Sequence, residues 1–291
     1  IDHDGDIMYH RLGTSSQDFE FTTEFLGEKL HVRRIGTNGN TAEAVKLIKQ
    51  WDKKAAAIGI GVLKDHYKVG SRRFIEKDSA RLKAVATRVS VTTGGRLGDI
   101  FQEWAVRHTQ TQLGSYFNNA RTLFFSGLTD YKLALALSEY TSNLQFADPV
   151  LQMGVPKLLN SLDALHLYSN GAHYVKDWTL PSAIATGPVK EWTRFVLRKA
   201  LQKATVVVAP VHELDDFGIE ELAGKTLITA TVNDERMAQL RDKGVSMVID
   251  GSPTMNGHVL GANLLDAMIL AATGKAPQDI QEDDYLEIIT G

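Results

Sequence analysis

Short runs of β-branched and aromatic residues alternate along this chain with longer stretches whose apolar positions recur every three or four residues. Residues 30–35 read as a strand. The turn Gly36-Thr37-Asn38-Gly39-Asn40 follows, with Asn40 or Thr41 placed to cap a helix over 42–53. In that helix Ala44, Val45, Leu47, Ile48 and Trp51 make one apolar face. Residues 55–63 form a continuous apolar run with Gly59 and Gly61, as a strand buried on both faces requires. The pattern then predicts a helix over 75–88, a strand over 89–93 and a helix over 96–109. Polar residues 109–119 mark a crossing into a second domain, where the alternation restarts. Strands are expected at 122–126, 144–147, 205–209, 226–230 and 245–249. Helices are expected at 130–141, 234–243 and 258–273, with a mostly helical insertion over 150–202.

This order implies an α/β fold: a Rossmann-like doubly wound parallel sheet domain behind an N-terminal α/β domain. The division is 1–115 for an α/β substrate domain, 116–275 for a cofactor-binding domain and 276–291 for an acidic tail. In that tail Tyr285, Leu286, Ile288 and Ile289 could add a docking element. The aliphatic stretch 259–272 suits the core or a homo-oligomer interface.

Composition narrows the function classes. A formal charge of −3 over 291 residues lacks the basic excess of a nucleic-acid binder. The absence of cysteine removes disulfides, thiolate zinc sites, iron–sulfur clusters and cysteine nucleophiles, and agrees with a cytoplasmic compartment. No apolar run reaches the roughly 20 residues of a membrane span. The N-terminus Ile1-Asp2-His3-Asp4 has neither the basic nor the apolar region of a signal peptide and no initiator methionine, which reads either as a chain cut from something longer, with a possible upstream domain, or as one whose first residues were removed. The chain has no P-loop motif, no HExxH and no GxSxG elbow, and its nine histidines are scattered without ligand spacing.

Open parallel sheets bind ligands outside the carboxyl ends of their strands. In the second domain the first such loop is Ser126-Gly127-Leu128-Thr129, leading into a helix whose N-terminal amides attract phosphate. Asp148 ends the next strand, 21 positions after Gly127, where an acid can meet ribose hydroxyls and favour NAD over NADP. Ala209 and His212 follow the third strand, and His212 suits proton donation or substrate contact. Thr231 and Asn233 follow the fourth strand, either as ligand contacts or as a helix cap. Residues 250–263 carry Gly257 and Gly261, which could bring backbone donors to a cofactor or merely connect two elements. In the first domain Lys64 and Asp65 make an acid–base pair, and Arg72 can clamp a carboxylate. Thr93 and Gly94 are placed to face the same substrate. Each set also has a purely structural reading as a turn or a solvated surface.

An ordered series of segments carries a family resemblance. It runs through Gly27-Glu28-Lys29, Arg33-Arg34-Ile35-Gly36-Thr37-Asn38-Gly39, Asp52, Ala57-Ile58-Gly59-Ile60-Gly61, Gly70-Ser71-Arg72-Arg73-Phe74, Leu222-Ala223-Gly224-Lys225-Thr226, Ser252-Pro253-Thr254-Met255-Asn256-Gly257 and Gly261-Ala262-Asn263. From about Phe25 to Lys275 the chain resembles the quinate 5-dehydrogenase-like, or shikimate/quinate dehydrogenase-like, group. The resemblance implies an NAD(P)-dependent oxidoreductase acting on a small polar hydroxy or carbonyl compound. It implies Lys64 as general acid/base with Asp65 or Asp99 as its partner, Arg72 on a carboxylate, and Ser126–Thr129 with Asp148 on the dinucleotide. The family's glycine-rich loop is reduced here to Ser126-Gly127-Leu128-Thr129. That departure favours the alternative: a non-catalytic nucleotide- or metabolite-binding domain serving a larger protein.

Overall fold

The computed structural model describes residues 5–11, 18–61, 66–69, 72–75, 77–172 and 188–290. They group into two compact units. One holds the described residues up to His66, Phe74–Ile100 and those from Ser252 onward; the other holds Tyr67–Arg73 and Phe101–Gly251.

The first unit is built on a five-stranded sheet in the order β2-β3-β1-β4-β7. Its strands are β1 (Gly5–Arg11), β2 (Phe19–Phe25), β3 (Glu28–Gly36), β4 (Ala55–Gly61) and β7 (Ser90–Thr92). All pairs are parallel except the β2–β3 hairpin at the edge. Leu26 and Gly27 close that hairpin with φ of 53° and 81°, the two-residue geometry that matches strand twist. Helix α1 (Thr41–Trp51) is capped by Asn40, whose side chain accepts from the Glu43 amide at 3.1 Å. It buries Ala44 and Ile48 against Ile58, Ile60, Leu82 and Val91. Helix α2 (Lys77–Lys83) is shorter than the apolar pattern predicts. The chain turns away because Asp52 takes the amides of Thr87, Arg88 and Val89 at 2.9–3.2 Å. These amide donors hold the Asp52 carboxyl far below the usual carboxylate range. Strands β5 (His66–Val69) and β6 (Arg72–Ile75) pair with each other where the sequence pattern gave none.

The second unit starts within helix α3 (Gly95–Gln112), which extends past the expected end at 109. Its strands are β8 (Thr122–Phe124), β9 (Leu144–Phe146), β10 (Val206–Val208), β11 (Thr226–Thr229) and β12 (Met247–Asp250). They run parallel in the order β9-β8-β10-β11-β12, which is 2-1-3-4-5 in the unit's own chain order. β8, β10 and β11 are buried throughout, hence the absence of polar alternation along them. Around them lie α4 (Tyr131–Ser138), α5 (Asp148–Met153), α6 (Leu162–Ala172), α7 (Pro188–Lys203), α8 (Val211–Asp216) and α9 (Asp234–Asp242). The core joins Leu123, Phe125, Leu197, Leu201, Val207 and Leu227. The second unit is thus the expected doubly wound, Rossmann-like α/β sheet, and the first is an α/β unit.

Residues 252–275 differ from the expected division. They were assigned to the cofactor domain, but they group with the first unit. The helix expected from 258 begins at Ala262. Residues 254–259 instead form the hairpin β13 (Thr254–Met255) and β14 (His258–Val259), turned by Asn256 and Gly257 at φ of 48° and 75°. His258 stacks on Phe19 at 4.3 Å, a contact that fixes this hairpin in the first unit. Helix α10 (Ala262–Thr273) buries residues 263–270 against the first unit's sheet, which is why the sequence made it so apolar. The tail forms α11 (Glu282–Thr290), docked by the buried Tyr285.

Candidate functional site

In a parallel sheet the strand whose connections leave in opposite directions opens a crevice at the carboxyl edge. In the second unit that switch point lies between β8 and β10. Five segments end there: Ser126–Thr129 after β8, Asp148 after β9, Ala209–Glu213 after β10, Thr231 after β11 and Asp250 at the end of β12.

Asp148 is 0% exposed and organises the first of these loops. Its carboxylate accepts from the Gly127 amide at 2.8 Å, the Leu128 amide at 3.0 Å and the Ser126 hydroxyl at 3.3 Å. Ser126 Oγ also shares a hydrogen bond with Thr129 Oγ1 at 2.9 Å. Burial pushes the Asp148 carboxyl up to about 6, against the pull of the Leu128 and Gly127 amides. Two sequence expectations change here. Asp148 was placed on an adenosine ribose, but a fully buried carboxylate does not present itself to one. Gly127 was expected to let a pyrophosphate approach, yet its α-carbon faces Phe146 and Leu165; a β-carbon there would sit 2.2 Å from the Phe146 ring. Leu128, also proposed as a cofactor contact, is a core residue at 3% exposure.

Beside this loop stands a residue that sequence reading missed. Glu213 lies in the first turn of α8, and its Oε2 is buried without a hydrogen-bond partner. Burial, then the charges of Asp130, Asp216 and Asp148, push its carboxyl up to about 7. Glu213 follows His212 just after a strand, and nothing in that spacing marks it as buried. Asp130, buried ahead of α4, makes no side-chain cap bond to that helix. The switch point is therefore lined with carboxylates.

The sign of their effect on stability follows from their raised values. A carboxyl whose folded value exceeds its unfolded one holds a proton longer in the native state, so stability falls as pH rises through that interval. For Glu213 the interval runs from the ordinary 4.5 to about 7. Glu213→Gln is thus expected to raise the unfolding midpoint at about pH 8, by the equivalent of about 1–3 kcal/mol, and to change it little at about pH 5. Midpoints of wild type and variant across that range check this; a gap that does not widen with pH contradicts it.

Thr231 has φ of 62°, a left-handed conformation that a β-branched residue adopts only when its surroundings force it. The adjacent Val232 amide donates to Asp250 Oδ2 at 2.7 Å, which helps fix the turn. Asn233, not Thr231, caps α9, accepting from the Arg236 amide at 2.9 Å. Ala209 is buried, and His212 is exposed in the first turn of α8. Thus Ser126, Thr129, Ala209, His212 and Thr231 share one edge of one sheet. Gly257 and Gly261, expected on the same cofactor, belong to the first unit: Gly257 in the β13–β14 turn, Gly261 as the residue before α10.

Among the candidates expected in the N-terminal domain, Lys64 and Asp65 lie outside the described residues, and Arg72 groups with the second unit. Arg72 falls in β6, but its side chain is not among those described. Asp99 is half-buried on α3. Thr93 and Gly94, expected to face substrate, are buried and build the turn into α3. Thr93 Oγ1 accepts weakly from the Gly95 amide at 3.4 Å, and Gly94, at φ of 65°, presses against the backbone of Ala262 and Asn263. Behind it lies a buried polar network. Asp266, 4% exposed, accepts from the Tyr285 hydroxyl at 2.7 Å and from the Thr92 hydroxyl. Its sequence signal is an acid within the apolar run of α10, where an unpartnered charge would be costly. Among the described residues no group of three or more His, Asp or Glu is arranged to hold a metal, and no helix is long and apolar enough to cross a membrane.

No curated protein matches the chain. Similar solved structures include a hetero-hexameric glutamate dehydrogenase from Thermus thermophilus in its leucine-bound form, at 12% identity and TM-score 0.42, covering 99% of this chain and 74% of that one. Another is the periplasmic sugar-binding protein of a Legionella pneumophila ABC sugar transporter, at 10% identity, TM-score 0.36 and coverage of 92% and 93%. A third is aspartate transcarbamoylase from Trypanosoma cruzi with carbamoyl aspartate and phosphate, at 11% identity, TM-score 0.27 and coverage of 92% and 81%. All three scores fall below 0.5, so the functional reading rests on this chain's own geometry. Neither matching family model is a quinate or shikimate dehydrogenase: the domain of unknown function DUF8753 matches residues 7–93. The domain of unknown function DUF8754 matches residues 96–291, more than half of the chain, and the chain belongs to that family.

Proposed function

We propose that this protein is an NAD(P)-dependent oxidoreductase acting on a small polar hydroxy or carbonyl compound, in the manner of the polyhydroxy acids that quinate/shikimate dehydrogenase-like enzymes take. The observation that carries the reading is the 2-1-3-4-5 parallel sheet, whose switch point gathers Ser126, Thr129, Ala209, His212 and the left-handed Thr231 on one edge. His212 is exposed there and has a side chain suited to proton transfer near neutral pH. When bound, the nicotinamide would supply the hydride chemistry, and the protein would supply orientation. The Ser126–Leu128 turn does not fit a pyrophosphate while Asp148 holds two of its amides, so no step is assigned to it.

That same contact favours a second reading, a non-catalytic nucleotide- or metabolite-binding domain. One experiment separates the two. A ligand at about 100 times its Kd adds about 2.7 kcal/mol, which for a chain of this size raises the unfolding midpoint by about 5–10 °C. The oxidoreductase reading expects such a shift with at least one of NAD, NADH, NADP and NADPH. It also expects absorbance of reduced nicotinamide to develop when NAD(P) and a polyhydroxy acid are supplied. A shift without turnover across a broad panel of hydroxy acids supports the binding domain. No shift with any of the four removes the oxidoreductase reading.

A further inference from the structure

A carboxylate seated on consecutive loop amides and a hydroxyl satisfies the donors that an external anion would otherwise need. At Ser126–Leu128 those donors are the Gly127 and Leu128 amides at 2.8 and 3.0 Å and the Ser126 hydroxyl at 3.3 Å, and the acceptor is Asp148 of the same chain. Asp148 is fully buried and Phe146 and Leu165 pack against Gly127, while Ser126 is half-buried. Asp148 also acts on the Glu213 carboxyl of α8, as do Asp130 and Asp216, so negative charge already gathers on this edge. We infer that the Ser126–Leu128 turn is an anion nest filled by the chain's own Asp148, which positions the loop and keeps ligand phosphates off it. This rests on the reading that the switch point is the ligand site. It assigns Asp148 as a positioning residue and limits the ligands of this edge to those whose phosphates lie elsewhere.

Removing the internal anion should leave a nest that an external one can fill. Asp148→Ala is expected to unfold at a lower temperature than wild type and to recover at least about half of the loss in about 100 mM formate, which fits the space of the missing carboxylate. Wild type, its nest occupied, is expected to move by less than about a tenth as much in the same formate. Asp148→Asn keeps the volume but turns an amide toward the loop's donors, so it should be destabilised and insensitive to formate. Chloride at matched ionic strength separates nest filling from a general salt effect. Equal recovery in chloride, no response of Asp148→Ala to formate, or an Asp148→Asn as stable as wild type overturns the assignment. If Asp148→Ala does not fold without formate, its yield of soluble protein on refolding with and without formate gives the same comparison. Formate rescue in a protein that binds no dinucleotide would keep this assignment and discard the oxidoreductase. Dinucleotide binding without formate rescue would do the reverse.

Discussion

Gly94→Ala is expected to lower the unfolding midpoint by about 6–12 °C, the equivalent of about 3 kcal/mol. Two costs combine. At φ of 65° an L side chain is strained wherever it points. The new β-carbon would also lie 2.3 Å from the Asn263 nitrogen and 2.4 Å from the Ala262 carbonyl carbon, which are backbone atoms without rotamers to yield. The first turn of α10 would have to move, and with it the turn that carries Asp266 toward Thr92 and Tyr285. Gly257→Ala is the control. Its φ is 75°, but nothing lies within 4 Å of the added carbon, so it should cost only about 1 kcal/mol. Thermal unfolding of the two variants side by side tests the difference. Equal losses would mean that the close approach at Gly94 contributes nothing.

Gly127→Ala distinguishes two reasons for having a glycine. A phosphate-approach glycine, when substituted, leaves stability intact and weakens ligand binding. A packing glycine does the opposite. Here the added carbon would meet the Phe146 ring at 2.2 Å and Leu165 at 2.8 Å, in a core where Phe146 already packs on Phe124 with ring centroids 5.1 Å apart. Overpacking of this kind costs about 1–3 kcal/mol, so a midpoint drop of about 2–12 °C is expected. Any dinucleotide affinity measured below that midpoint should stay within about threefold of wild type. Unchanged stability with lost affinity would return Gly127 to the phosphate role that its position first suggested.

The sheet of the second unit was legible because its strands are buried on both faces. Thr122-Leu123-Phe124 and Val206-Val207-Val208 have no polar alternation that could be taken for anything else. Strand β1 was not legible: Gly5–Arg11 mixes charged and apolar residues, and its place at the centre of a sheet comes from pairing with strands distant in sequence. The path of α10 was hidden for a related reason. A helix apolar over most of its surface announces that it is buried without saying against which sheet. For the site, the positions after each strand were correct guides to the carboxyl edge, because that edge follows from parallel topology alone. What sequence spacing could not give was direction. The 21 positions from Gly127 to Asp148 suit a ribose contact and an internal hydrogen bond equally well, and only the folded chain settles that the carboxylate turns inward. Glu213 was missed because an unpaired buried carboxylate leaves no trace in sequence.

The oxidoreductase account is tested most directly by isothermal titration of the chain with NADH and NADPH at neutral pH. It predicts saturable one-to-one binding of at least one of them in the micromolar range, weakened at least about tenfold by His212→Glu, which adds a charge to the exposed edge without touching the core. No saturable heat from either nucleotide at millimolar concentration would contradict it.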